Sequence, residues 1–477
     1  MLSPAKKSTL WNVIEKGAVL SIQIIITLII TRIISPEDYG IIAMVTVFFS
    51  IASTIIDFGM EGAIIQKKEC LKEDYNAAFF FILGMSILLY VTLYFCAPYI
   101  ARFYKLPQLA EVVKIGGITL IIRALGIVPY AKMERHLNFK SIAKISAFTA
   151  LLAGVVAIAM AYKGFAYWAL VAQFVLTSTL TTILYFVASK WKPTMQLSAA
   201  SFKNLLGFGL PLMFTSLING LYGNLYNLVI GRKFSERQLG LYNRASTLAG
   251  YAPLNLSDLT MRALYPIFSR EQDNYRLLKE HTLKTLHITF FIIIPITAFI
   301  VVNCRDIVTA LLTEKWKDVI PFLRILAISN IAFIFFNIHI NLLKATGNTK
   351  TLFLCEVLKK GVGIAIFIAL LPLGIMAIMW GILATSIINL LISSYFIWRK
   401  IKIGLWKQLL QGVSVTIGTA VSAVAAYWIA GFADNIYMRL GLCAVIFTTL
   451  FILYACITKD SAILFFKDYY YKIFRKR

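Results

Sequence analysis

The chain has 477 residues, of which 59% are hydrophobic and 14% charged, and its formal net charge is +25. Soluble domains are about half apolar and about a quarter charged, so this composition excludes a soluble globular protein and indicates a membrane protein. The lysines and arginines lie in short segments between apolar runs, which favours membrane orientation over nucleic acid binding as their role.

Fourteen apolar segments reach about 20 residues, the length that a helix needs to cross a bilayer. Pro372 and Gly374 divide the long uncharged stretch 361–398 between two of these segments. The sequence therefore predicts an all-α polytopic membrane protein with about 14 transmembrane helices. In chain order, the predicted cores are 11–34, 39–59, 76–100, 109–130, 142–162, 164–189, 203–230, 238–266, 284–303, 319–343, 350–371, 373–398, 407–430 and 437–458.

The turn after the first segment is repeated 200 positions later, where TRIISPEDYG at 31–40 corresponds to GRKFSERQLG at 231–240. Arginine, serine and glycine recur at equivalent positions of the two turns: Arg32 and Arg232, Ser35 and Ser235, Gly40 and Gly240. The repeat predicts two homologous halves of about 200 residues, each opening with a helical hairpin.

The distribution of basic residues predicts the orientation of the helices. With a cytoplasmic N-terminus, roughly 29 basic residues fall on the cytoplasmic side and roughly 13 on the other, so both termini are expected in the cytoplasm. The tail 459–477 mixes aromatic and basic residues, which fits an interfacial segment held by anionic lipids or a solvated tail without function.

No pattern typical of catalysis occurs. The four histidines and six cysteines are dispersed without zinc or disulfide spacing, and there is no P-loop for ATP. The sequence therefore predicts a protein that is not an enzyme and that needs no metal or cofactor.

Four stretches carry a resemblance to a known family: SPEDYGIIAM at 35–44, FGMEGAIIQKKECLKEDYNAAFF at 58–80, YNRASTLAGYAPLNLSDLTMRALYPIFSREQD at 242–273, and LKATGNTKTLFLCEVLKKGVG at 343–363. With these stretches and its helix count, the chain resembles the Wzx-type lipid-linked oligosaccharide flippases of bacteria. They form the polysaccharide transporter branch of the MATE-like multidrug, oligosaccharidyl-lipid and polysaccharide (MOP) exporter superfamily.

The resemblance implies a V-shaped, MATE-like pair of six-helix lobes, at 1–190 and 201–400, followed by two helices within 401–458 and the tail 459–477. It also implies alternating-access transfer of an undecaprenyl-pyrophosphate-linked glycan across the bacterial inner membrane, for O-antigen, capsule or exopolysaccharide. The expected partners are this substrate, membrane lipids, and the glycan polymerase and glycosyltransferases of the pathway.

Charges inside membrane helices are costly and usually face a cavity or a partner, so they are the candidate site residues. Lys359 and Lys360 lie about nine residues beyond Lys350, roughly 14 Å along a helix. Glu356 can neutralise one lysine at helical spacing and leave the other for an anionic head group, or the charges form a purely structural pair.

Arginines in predicted helices are further candidates for the head group, since the planar guanidinium suits phosphate oxygens. They are Arg123, Arg244 and Arg262, of which Arg262 has Asp258 as an adequate structural partner at four-residue spacing. Glu15 and Lys16 in the first helix either line the cytoplasmic mouth or extend to the interface.

Polar residues concentrate in the seventh predicted helix: Asn219, Tyr222, Asn224, Tyr226 and Asn227. Amide and aromatic groups suit a glycan path, although hydrogen bonds between helices explain them equally well. Two rival functions remain, a cation-coupled MATE drug exporter and a membrane glycan polymerase or ligase. The excess of lysine and arginine over acidic residues in the helices favours an anionic substrate over the drug cations.

Overall fold

The computed structural model describes residues 4–196, 198–271 and 274–465, and the regular elements of these ranges are all helical. Two short 3₁₀ segments, Glu314–Val319 and Leu371–Leu373, accompany sixteen α-helices. The α-helices are α1 (Pro4–Ile33), α2 (Pro36–Asp57), α3 (Met60–Gln66), α4 (Lys72–Tyr104), α5 (Leu109–Arg135), α6 (Phe139–Tyr162), α7 (Tyr167–Ser189), α8 (Ala199–Lys233), α9 (Glu236–Arg270), α10 (Tyr275–Val302), α11 (Cys304–Leu312), α12 (Ile320–Ala345), α13 (Thr349–Leu370), α14 (Ile375–Ile401), α15 (Leu405–Ala430) and α16 (Ile436–Ile457).

Each of the fourteen predicted segments lies on its own helix, and the short helices α3 and α11 are additional. Within the described ranges, eleven helices are long and apolar enough to cross a membrane, so the polytopic all-α architecture is confirmed. The crossings of α1, α9 and α13 stay predictions. In α13, the charges of Glu356, Lys359 and Lys360 interrupt the apolar surface.

The chain divides into two compact units, Met1–Asn243 and Arg244–Arg477. In the first unit α1 packs on α6, α4 and α7 pack on α5, and α2 packs on α8. In the second unit α12 packs on α14, and α15 packs on both α10 and α16. The division into lobes at 1–190 and 201–400 stays a prediction.

The two repeated turns meet inside the first unit. Ser35 caps α2 in a capping box with Asp38, and the Ser235 hydroxyl accepts from the Gln238 amide at the start of α9. A Cβ atom on Gly40 would lie 1.8 Å from the Glu236 carbonyl oxygen. The two helix starts therefore touch backbone to backbone, as only glycine allows.

This backbone contact, the crossing of α2 and α9, is nearly symmetric. A Cβ atom on Gly240 would lie 1.8 Å from the Pro36 carbonyl oxygen. Beside the glycines, Arg237 donates to Glu37 at 2.7 Å. The glycine and the helix cap that recur in the sequence therefore serve one contact between the two turns.

A second close contact fixes the break between α2 and α3. Phe58 and Gly59 adopt left-handed backbone conformations, with φ of 51° and 71°. Gly59 lies against Gly209 of α8, where a Cβ on Gly59 would be 2.5 Å from the Gly209 oxygen. The Asp57 carboxylate accepts from the amides of Gly59 and Glu61 and so caps α3.

A buried polar triad joins three helices of the second unit. His339 of α12 is fully buried, with Nδ1 2.9 Å from the Ser393 hydroxyl and Nε2 2.8 Å from Oε1 of Gln408. The Gln408 amide donates in turn to the Ile403 carbonyl at 3.0 Å. Because these groups have no access to water, their mutual bonds determine how α12, α14 and α15 pack.

We expect Gly40→Ala and Gly240→Ala each to lower stability by about 1–3 kcal/mol, because the added methyl group forces two backbones apart. Thermal unfolding of the detergent-solubilised protein measures this effect. Gly84→Ala in α4 is the matched control, since nothing lies within 4 Å of its added Cβ. Equal melting temperatures for all three variants would contradict the crossing.

We expect His339→Leu and Gln408→Leu each to cost about 1–3 kcal/mol, because each leaves a buried partner without its hydrogen bond. The double variant removes both ends of that bond, so it should be less destabilised than the sum of the single variants. The same thermal unfolding assay, applied to the wild-type protein, the two single variants and the double variant, measures these losses. Strictly additive losses would show that the two side chains act independently.

Candidate functional site

Arg123 of α5 lies at a cavity of the first unit. The cavity has a volume of about 310 Å³ and its polar lining residues are Ser53, Thr54, Asp57, Glu61, Arg123 and Ser216. Arg123 is exposed there, so its guanidinium is open to a ligand. The prediction of Arg123 as a charge that faces a cavity agrees with this position, and its role in binding stays a prediction.

Two carboxylates beside Arg123 were not among the predicted site residues. Asp57 and Glu61 are held on either side of the α2–α3 break. The pKa of Glu61, in the connection between α2 and α4, is raised to about 7 by burial and by the charges of Asp57 and Glu134, while Arg123 opposes the shift. The acidic residues in DFGMEG at 57–62, next to two glycines at the end of an apolar run, were the available sequence signal.

The five predicted glycan-path residues all lie in α8: Asn219, Tyr222, Asn224, Tyr226 and Asn227. Asn224 donates to the Ser50 hydroxyl of α2 at 3.4 Å. This is a hydrogen bond between helices, the alternative explanation for the polar residues of this helix. The rings of Tyr226 and Tyr242 lie 6.3 Å apart at 30°. Asn227 keeps its Oδ1 atom buried without a hydrogen bond among the described residues.

Lys359 of α13 is held in the second unit by an acid and an aromatic ring. Its side chain is 8% exposed, and its ammonium lies 3.2 Å from the carboxylate of Glu356. The same ammonium lies 3.0 Å from the centroid of the Phe336 ring. The predicted pair with Glu356 therefore forms through Lys359, whereas the neighbouring Lys360 is only partly buried.

Arg244 is also buried beside an aromatic ring in the second unit. It is 5% exposed, and its guanidinium carbon lies 5.8 Å from the ring centroid of Trp316, which is fully buried. Arg244 and Lys359 thus lie on different helices, each beside its own aromatic residue.

Three other predicted residues have side chains outside the described part of the structure. Glu15 and Lys16 lie in α1, and Arg262 lies in α9. Their helical positions agree with the predicted segments, and their roles at the cytoplasmic mouth and the head group stay predictions.

Comparisons with known proteins identify the family. A model of a family described as "Polysaccharide biosynthesis protein" matches residues 29–321. The lipopolysaccharide biosynthesis protein WzxC of Escherichia coli (strain K12) is 27% identical over 401 residues, which cover 83% of this chain and 80% of WzxC.

Two solved structures show the fold. The lipid II flippase MurJ in an inward closed conformation aligns with a TM-score of 0.74 at 14% identity, covering 94% of this chain and 100% of that one. An inward-facing multidrug resistance MATE family transporter of the MOP superfamily aligns with a TM-score of 0.60 at 17% identity, covering 83% and 99%. The predicted MATE-like fold is therefore confirmed.

The family match extends over more than half of the chain, and the Wzx resemblance inferred from the sequence motifs is confirmed. The chain therefore belongs to the polysaccharide biosynthesis protein family, as a Wzx-like multi-pass membrane transport protein with the MATE and MurJ fold and not an enzyme.

Proposed function

We propose that the protein is a flippase for an undecaprenyl-pyrophosphate-linked oligosaccharide, which it moves from the cytoplasmic to the periplasmic leaflet of the bacterial inner membrane by alternating access. The glycan is an O-antigen, capsule or exopolysaccharide unit. Membership of the polysaccharide biosynthesis family and a fold similar to that of a lipid II flippase support this substrate class. Both termini are cytoplasmic in this proposal, and the glycosyltransferases and polymerase of the pathway act before and after it.

The observation that carries the proposal is the buried ammonium of Lys359. A charged group inside a membrane protein is retained at a cost in desolvation, and a transporter recovers that cost when the group binds its substrate. The Phe336 ring and a single, partly exposed carboxylate hold Lys359 without a network of further hydrogen bonds in the described structure. A pyrophosphate that enters can therefore replace Glu356 as the counter-ion.

The other cations extend the same role in this proposal. Arg123, Arg244, Arg262 and Lys360 offset the desolvation of the pyrophosphate during transfer, and arginine adds paired donors that suit phosphate oxygens. The polar residues of α8 contact the sugars, with Tyr222 and Tyr226 as aromatic surfaces. Glu15 and Lys16 belong to the cytoplasmic entrance.

Depletion of the protein in its host tests the function directly. We expect the lipid-linked oligosaccharide to accumulate on the cytoplasmic leaflet, because its synthesis continues while its transfer stops. Unchanged lipid-linked pools together with increased sensitivity to organic cations would instead identify a drug exporter of the same fold.

We expect Lys359→Met to reduce flipping in proteoliposomes by at least about tenfold, the effect of about 1.4 kcal/mol in transition-state binding, because the head group loses its buried cation. Methionine retains the length of the side chain and its contact with Phe336. The rate is measured with a lipid-linked oligosaccharide at matched amounts of reconstituted protein.

Glu356→Gln distinguishes substrate binding from a structural ion pair. If Lys359 binds the head group, removal of its resident counter-ion should leave flipping intact or increase it. If the pair is only structural, Glu356→Gln and Lys359→Met should lower stability and flipping to the same degree, and the proposed role of Lys359 would fail.

The two carboxylates next to Arg123 lead us to predict that binding of the lipid-linked glycan depends on pH. Because burial and the charges of Asp57 and Glu134 raise the pKa of Glu61 to about 7, Glu61 is mainly neutral at pH 6 and mainly ionised at pH 8. The ionised form competes with the head group for Arg123. We therefore expect a pyrophosphate-linked glycan, whose diester charge is constant in this range, to bind more tightly at pH 6, by roughly fivefold.

Binding of the lipid-linked glycan to the detergent-solubilised protein at pH 6 and pH 8 measures this difference. Glu61→Gln should make binding nearly independent of pH, whereas Glu111→Gln, an exposed residue at the start of α5, should not. A pH dependence that persists in Glu61→Gln would assign it to another group.

A further inference from the structure

A basic pocket lies at one end of the first unit, apart from the residues assigned to the flippase. It has a volume of about 560 Å³, a size typical of small-molecule sites. Six basic side chains line it, which we call the basic pocket residues: Lys72, Lys132, Arg135, His136, Lys190 and Lys192. They come from the start of α4, the end of α5 and the segment after α7.

The pocket walls are held together by specific contacts. Asn76 of α4 donates to the Thr194 hydroxyl at 2.7 Å and accepts from the Thr194 amide at 3.1 Å. The buried Trp191 packs its ring 5.3 Å from the ring of Phe79. These contacts fix the segment after α7 against α4, so the pocket is a formed concavity.

Arg135 is a structural part of this pocket. Its guanidinium donates to the carbonyl oxygens of Ile64 at 2.8 Å and Lys68 at 2.7 Å, and also to those of Ile65 and Lys67. Ile64 and Ile65 lie in the last turn of α3, where carbonyls lack partners within the helix, and Lys67 and Lys68 follow that turn. The positive charge of Arg135 remains at the pocket, but both terminal nitrogens of its guanidinium already donate to backbone carbonyls.

The lysines have a different status from Arg135. No carboxylate lines the pocket, and the described part of the structure records no ion pair for Lys72, Lys132, Lys190 or Lys192. The nearby Asp74 is fully buried and is neutralised by Lys67 at 2.6 Å. The pocket therefore has a strong positive potential with no internal counter-ion.

Membrane orientation explains why lysines lie on the cytoplasmic side, but not why they converge on a concavity without acids. Lysine is a point charge that suits phosphate oxygens without strict geometry, and basic pockets at the cytoplasmic ends of membrane helices bind phospholipid head groups. Trp191 adds an aromatic ring to the pocket lining, and tryptophan is enriched at the level of lipid head groups.

We propose that the basic pocket binds a phosphate-bearing anion at the cytoplasmic membrane surface. The phosphate is supplied either by an anionic phospholipid of the inner leaflet or by a soluble phosphate compound. The site is formed entirely by the first unit and is independent of the proposed flipping activity.

The test uses the full-length protein in two kinds of nanodisc. In phosphatidylcholine discs with added phosphatidylglycerol, native mass spectrometry of the released protein counts retained anionic lipid. In discs of phosphatidylcholine alone, calorimetry measures binding of inorganic pyrophosphate. We expect the wild-type protein to bind at least one of the two probes. Retained phosphatidylglycerol would identify a phospholipid as the source of the phosphate, and bound pyrophosphate would identify a soluble compound.

The variant Lys72→Gln, Lys132→Gln, Lys192→Gln should weaken that binding by at least about tenfold, since each lysine near a phosphate surface contributes roughly fivefold. The matched control is Lys68→Gln, Lys144→Gln, Lys203→Gln, which removes three exposed charges from the same side outside the pocket. It should bind like the wild-type protein. Arginine at the three pocket positions should restore binding, which separates loss of charge from misfolding.

Two results would overturn the proposal. Equal loss of binding in the pocket and control variants would assign the effect to the general surface charge. Failure of the wild-type protein to bind either probe would show that the pocket has no phosphate ligand. The Lys359→Met variant separates this proposal from the proposed function. If it loses flipping but still binds the phosphate probe, the basic pocket is unaffected, because Lys359 is not one of the basic pocket residues.

Discussion

The backbone contact between Gly40 and Gly240 is the constraint on which the first unit depends. Helices in a bilayer gain little from hydrophobic burial against one another, because lipid is as apolar as a neighbouring helix, so close packing needs small residues. The crossing fixes α2 at one end, and the contact of Gly59 with Gly209 fixes it at the other. The α2–α3 break and its carboxylates are consequently held in a defined position at the cavity of Arg123.

Three of the candidate site cations lie beside groups that can interact with a positive charge. Lys359 has a partly exposed Glu356 and an aromatic ring, Arg244 has Trp316, and Arg123 has the carboxylates across its cavity. A strong, fully buried ion pair would hold the charge so tightly that an anion could not compete. In the proposed flippase, partial neutralisation of Lys359 by Glu356 would keep the folded protein stable and leave the lysine able to bind the head group.

The basic residues of the first unit serve more than one purpose. In the predicted orientation of the helices, these residues lie on the cytoplasmic side of the membrane. Arg135 also closes the end of α3, and the lysines around it form a pocket with no acid in its lining. Because a positive potential at a helix end costs little when lipids supply the counter-charge, the predicted orientation and the proposed anion binding are compatible roles for the same residues.

The sequence by itself determined the fourteen long helices and the family, because hydropathy, turn residues and motifs are local properties. It also predicted that Glu356 pairs with Lys359 or Lys360, because that pairing depends only on spacing within one helix. Only the tertiary structure decided that Gly40 meets Gly240, that Asp57 and Glu61 join Arg123, and that Lys72, Lys132 and Lys192 converge. These contacts depend on how each helix is rotated about its axis, and a helix that is apolar on every side carries almost no periodic signal of that rotation.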